Sequence, residues 1–148
     1  MNSSEPVCTI CQKHRRKRPD TVIDEGLVYA GHADPDGGGS AYLGYLIIEP
    51  KRHVRELSDL TEEEACAMAV ASVRLSKALT RSESAEHVYA FLLGDKASHL
   101  HLHLVPRYPG TPREYYGVQV DEWPGAPRGG KEEIAAICAR LRQALLKT

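Results

Sequence analysis

Residues 98–107 read Ser-His-Leu-His-Leu-His-Leu-Val-Pro-Arg, so that His99, His101 and His103 alternate strictly with Leu100, Leu102 and Leu104. A period of two belongs to an extended strand, whose successive side chains leave the backbone on opposite faces. The leucines then face a core and the three imidazoles share the other side. Surface histidines on a half-exposed strand account for the leucines but give no reason to choose the same polar residue three times. That face holds three of the chain's seven histidines. Two chemical readings follow: three imidazoles around one metal, or a division of labour between a metal and a phosphate.

The cysteines bear on that choice. Of four, Cys8 and Cys11 form a C-x-x-C near the start, while Cys66 and Cys138 fall inside helical patterns and read as small buried hydrophobes. A chain of 148 residues, 42% hydrophobic, buries a core without disulfide staples. Cys8 and Cys11 are instead two soft ligands at zinc spacing, and a tetrahedral structural site needs two more donors. His53 and His99, each at the edge of an expected strand, are the natural candidates, which leaves His101 and His103 for chemistry. His14, three residues past Cys11, competes with His53. Other readings of the pair are a redox dithiol, which lacks a thioredoxin-like strand and helix here, and ordinary core cysteines.

With 19 basic and 20 acidic side chains the formal net charge is −1, which gives no field favouring nucleic acid or an anionic membrane. An anionic ligand must be caught locally, and the basic run Arg15 to Arg18 reads as solvated surface. No apolar run is long enough to span a membrane and residues 1–20 hold no apolar signal core, so the expected location is the cytoplasm.

Along the chain, strand-like residues from Leu27 to Ala30 lead through a glycine-rich tip, residues 34–39, into an apolar run over 42–48 that Pro50 ends. Thr61-x-x-Glu64 opens a helix as a capping box, with Met68, Ala71, Leu75 and Leu79 on its buried stripe. Strands over 88–93 and 100–105 follow and pair antiparallel, joined by the polar link 94–98. Residues 107–130, with four prolines and five glycines, predict irregular structure with a short strand near 118–120. A last helix carries Ile134, Ile137, Cys138, Leu141 and Leu145 on one side. No internal repeat or linker divides the chain, which reads as a single domain with a zinc-binding segment over 1–20.

His99 to Val105 matches the pattern His-φ-His-φ-His-φ-φ, with φ apolar, of the histidine triad (HIT) superfamily. Val105-Pro106-Arg107 and Pro50-Lys51-Arg52-His53 also resemble segments of that family, and the order of elements agrees along nearly the whole chain. The resemblance implies an α+β fold, an antiparallel sheet of about five strands packed with two helices, usually as a homodimer. It implies a hydrolase or transferase that binds a nucleotide or nucleotidyl conjugate and cleaves at the α-phosphate. In that family the second triad histidine, here His101, is the nucleophile, and the third, here His103, hydrogen-bonds the phosphoryl oxygens. A zinc-bearing branch ligates a structural Zn2+ through positions that correspond to Cys8, Cys11, His53 and His99.

One departure stands out. Many members approach the triad through a longer loop ending in Gly-Gln-Ser or Gly-Gln-Thr, whereas here Gly94 is followed by Asp95 and Lys96. Lys96 and Ser98 are the substitute phosphate contacts. The tail aromatics Tyr115, Tyr116 and Trp123 either cover a ligand or pin an irregular segment to the body.

Overall fold

The structure is a computed structural model that describes residues 7–35, 37 and 39–147. The first six residues of the segment assigned to zinc, and Asp36 and Gly38 of the glycine-rich tip, lie outside the described residues.

The first element among the described residues is a short helix, α1 (Thr9–His14), beyond the two helices expected. Cys8 caps it, its Sγ accepting the Cys11 N–H at 3.5 Å, so the turn itself brings the two thiols together. A hairpin follows, β1 (Thr21–Glu25) and β2 (Val28–His32), turned at Gly26, whose φ of +57° lies where glycine is favoured. β1 is absent from the sequence reading because its register slips between Thr21 and Ile23. The bulge buries the adjacent Val22 and Ile23 together and breaks the two-residue period.

The apolar run over 42–48 is not one strand. Ala41–Tyr42 (β3) pairs with Arg128–Gly129 (β7), and Leu46–Pro50 (β4) pairs with β2. They part at Gly44, whose φ is +89° and whose missing side chain leaves room for the Tyr108 hydroxyl and the Pro106 ring. The buried His32 ring holds that bend, accepting the Gly44 N–H at Nε2 (2.9 Å) and donating from Nδ1 to the Ala33 carbonyl (2.8 Å). Pro50 ends β4 as expected.

The capping box is formed as written: Thr61 accepts the Glu64 N–H and Glu64 accepts the Thr61 N–H, opening α2 (Glu62–Glu83). β5 (His87–Phe91) and β6 (Leu102–Arg107) then pair antiparallel, and α3 (Lys131–Leu146) closes the fold. The five-stranded antiparallel sheet has the order β1-β2-β4-β6-β5. Against one face, Met68, Ala71, Leu75 and Leu79 of α2 and Ile134, Ile137, Cys138, Leu141 and Leu145 of α3 pack on Leu46, Ile48 and Leu104. This is the expected α+β fold. Two details are corrected: residues 118–120 form a turn, the short strand lying at 128–129, and Cys66 is exposed because it faces outward from α2 while Cys138 is buried.

The other face of the sheet carries Tyr29 and Glu49 as cross-strand partners, then Ile47, His103 and Phe91 in a row, then Val105 beside Tyr89. At one end α1 lies over this face, with His14 stacked on Tyr29 at 4.5 Å. At the other, Tyr42 and Val120 pack on Val105. His101 and His103 lie between, half-buried. Among the described residues no helix is long and apolar enough to cross a membrane.

Candidate active site and metal centre

The triad is not wholly within a strand: β6 begins at Leu102, so His99 and His101 precede it and only His103 belongs to it. His99 is buried, with Nε2 donating to the Pro50 carbonyl at 2.8 Å. A carbonyl only accepts, so Nε2 carries the proton and the Nδ1 lone pair faces the thiols. Nδ1 of His99 lies 3.6 Å from Cys8 Sγ and 3.4 Å from Cys11 Sγ, and His53 Nδ1 lies 3.5 Å from Cys11 Sγ. The donor atoms of Cys8, Cys11, His53 and His99 all lie within 4.8 Å of one another.

These distances fit a metal. Zinc–sulfur and zinc–nitrogen bonds of about 2.3 and 2.0–2.1 Å at tetrahedral angles separate sulfur from nitrogen by about 3.5 Å. Burial, followed by the neighbouring Cys8 sulfur, pushes the Cys11 thiol pKa up. Burial likewise lowers that of His99, favouring the neutral ring that ligates. A divalent cation held by these groups would draw both sulfurs to thiolate.

His14, the competitor of His53, is not in this cluster. Its Nε2 donates to Glu49 at 2.6 Å, beside Lys13 Nζ, which donates to the same carboxylate at 2.7 Å. Glu49 is 1% exposed. Burial alone raises its pKa, but His14 and Lys13 outweigh it and hold the carboxyl below its ordinary value. An acid in the strand-like Leu46-Ile47-Ile48-Glu49-Pro50 reads as surface until α1 is known to fold over it.

Beside this cluster of two cysteines and two histidines stand the two remaining imidazoles. Nδ1 of His101 donates to the His99 carbonyl at 2.8 Å, which leaves Nε2 as the bare nitrogen. The His103 ring meets the His101 ring at 5.0 Å between centroids, stacks on Phe91 at 4.9 Å and 12°, and has Nδ1 2.8 Å from the Tyr45 hydroxyl. Burial, then the charges of His101 and Lys96, lower the His103 pKa to about 4, so the ring is neutral at physiological pH. Tyr45 and Phe91 carry no signal in the sequence; they reach His103 only through the register that aligns Ile47 and Phe91 with it.

The proposed phosphate contacts Lys96 and Ser98 lie exposed on the link between β5 and β6, and neither side chain bonds to another described residue. In the tail, the Arg107 guanidinium lies 4.0 Å over the Tyr116 ring and donates to the Tyr89 hydroxyl at 3.0 Å. Tyr116 thus pins the segment after β6 to the sheet.

Comparison with solved structures places this architecture among relatives of similar size. A zinc-bound histidine triad family protein from Mycobacterium smegmatis is 21% identical, covering 95% of this chain and 94% of that one, with a TM-score of 0.70. A hypothetical histidine triad nucleotide-binding protein from Sulfolobus tokodaii is 19% identical, covering 95% and 93%, with a TM-score of 0.71. The diadenosine triphosphate hydrolase of Plasmodium falciparum, solved with cyclomarin A, is 10% identical, covering 90% and 80%, with a TM-score of 0.66. No curated protein sequence matches at a significant level. These likenesses establish a shared fold, and the sequence match adds the family. The HIT domain matches residues 37–110, half of the 148-residue chain and inclusive of His53 and all three triad histidines, so the chain belongs to the HIT domain family.

Proposed function

We propose that this chain is a zinc-stabilised nucleotidyl hydrolase or transferase, which cleaves a nucleoside phosphoramidate, a dinucleoside polyphosphate or a similar conjugate at the α-phosphate. The observation that carries the proposal is the 2.8 Å hydrogen bond from His101 Nδ1 to the His99 carbonyl, which leaves Nε2 bare beside a neutral second imidazole.

Nε2 of His101 attacks the α-phosphorus, forming an N–P bond as the bond to the leaving group breaks and its electron pair departs with that group. Water then attacks phosphorus, loses its proton to solvent and releases the nucleoside monophosphate, returning the lone pair to Nε2. His103 donates to a nonbridging oxygen, where negative charge develops. Lys96 and Ser98, close in sequence and with no side-chain hydrogen bond to another described residue, are the further phosphate contacts in this proposal. Cys8, Cys11, His53 and His99 would hold a structural Zn2+; four protein ligands would leave it no open position for activating water, and its role would be to tie α1 to the sheet. Assembly as a homodimer belongs to the same proposal.

The departure at Asp95 and Lys96 favours a second reading, a nucleotide-binding module with little turnover. The test is His101→Asn against the parent chain with adenosine 5′-phosphoramidate and diadenosine polyphosphates. The hydrolase loses about a thousandfold or more in turnover and no longer traps an acid-labile adduct. A parent chain that binds nucleotide yet shows neither turnover nor adduct is the binding module.

A further inference from the structure

His101 and His103 sit side by side, yet their Nδ1 atoms meet opposite partners. Nδ1 of His101 faces a carbonyl, which can only accept. Nδ1 of His103 faces the hydroxyl of Tyr45, which can donate. Between a phenol and a neutral imidazole the direction is set by acidity: the phenol O–H is the more acidic donor and the imidazole nitrogen the more basic acceptor. Phe91 lies nearly parallel against the His103 ring, at 12° and 4.9 Å, and holds the plane of the ring, while the bond to Tyr45 selects the orientation within that plane that turns Nδ1 to the hydroxyl.

We infer that Tyr45 is a positioning residue that fixes His103 as its Nε2–H tautomer, opposite to that of His101, so that the paired rings present one lone pair and one N–H to the same phosphoryl group. The phosphorus then meets the bare nitrogen of His101 while a nonbridging oxygen meets the N–H of His103. The two second partners thereby decide which ring attacks and which donates. A neutral donor also suits an anionic substrate whose charge shifts onto that oxygen in the transition state. This rests on the hydrolase reading for its catalytic consequence but not for the tautomer itself.

The experiment uses the full zinc-loaded chain labelled with 15N-histidine. In the parent, long-range proton–nitrogen spectra at neutral pH are expected to show His103 protonated at Nε2, with Nδ1 unprotonated and hydrogen-bonded, and His101 protonated at Nδ1. Tyr45→Phe is expected to move the His103 Nδ1 signal towards that of an unbonded ring nitrogen. It should lower kcat about 10- to 100-fold with KM little changed and metal content intact. His103 protonated at Nδ1 in the parent overturns the inference, as does a Tyr45→Phe protein with unchanged His103 signals and unchanged kcat. If Tyr45→Phe does not fold, the parent spectrum alone decides. Should the parent turn over no conjugate, the hydrolase reading fails separately, and the tautomer is still read from the spectrum, with adenosine monophosphate as the probe of whether His103 Nε2–H meets phosphate.

Discussion

Glu49→Gln is expected to loosen α1 while leaving the sheet in place. The Glu49 carboxylate is 1% exposed and accepts from both Lys13, 21% exposed, and His14, 8% exposed. Removing one member of a buried ion pair costs roughly 3–5 kcal/mol when the stranded partner has no escape. Here Lys13 can swing to water, and the amide oxygen of glutamine still accepts one bond. The expected loss is therefore smaller, about 2–3 kcal/mol, or about 4–12 °C in Tm for a chain of this size. Because the partners both sit on the helix that follows Cys8 and contains Cys11, zinc affinity should fall with stability, and faster amide exchange should be confined to α1 and its surroundings. The pH dependence has a definite sign. A carboxyl held below its ordinary 4.5 in the folded state contributes stability above that value and loses it as pH falls through the folded pKa. The gap between parent and variant should thus be open at neutral pH and close in acid. Calorimetry of the zinc-loaded proteins from neutral to acid pH measures it. A difference under about 0.5 kcal/mol at neutral pH, or exchange that quickens uniformly over the sheet, would refute the reasoning.

Other expectations follow from the same geometry. Cys8→Ser should lower bound zinc, and chelation of the parent should lower Tm, because the metal prefers the folded ligand set; unchanged metal content in Cys8→Ser would remove that cysteine from the site. Burial lowers the pKa of His32, whose Nε2 must stay unprotonated to accept the Gly44 N–H. That contribution is present above the unfolded value near 6.5 and is lost as pH falls below it, so stability should decline more steeply in that window in the parent than in His32→Gln, where His99 and His103 alone remain to contribute. Equal pH slopes for the two would count against it. Gly44→Ala should cost about 1–3 kcal/mol in chemical denaturation, since φ is +89° and a Cβ runs into Pro106 and Tyr108; a neutral result would mean the bend relaxes freely.

What the sequence by itself determined was everything written in a local period. The histidine and leucine alternation fixed two chemically distinct faces, Thr61 and Glu64 fixed where α2 begins, and the spacing of Ile134, Ile137, Leu141 and Leu145 fixed the buried side of α3. Each of these rests on residues within a turn or two of one another, so a pattern suffices. The cysteine pair and its spacing to His53 and His99 were legible through chemistry and resemblance, although it took the Cys8 cap to show how the thiols meet. The tertiary structure alone decided the rest. β1 hid behind a bulge, the run over 42–48 divided at a bend held by His32 and Tyr108, and β3 found its partner some 86 residues away in β7. Tyr45 came to His103, and His14 to Glu49 rather than to the cysteines, only through strand register and the docking of α1. Such contacts depend on the register of strands distant in sequence, and a hydroxyl or a carboxylate carries no mark of which partner that register will bring to it.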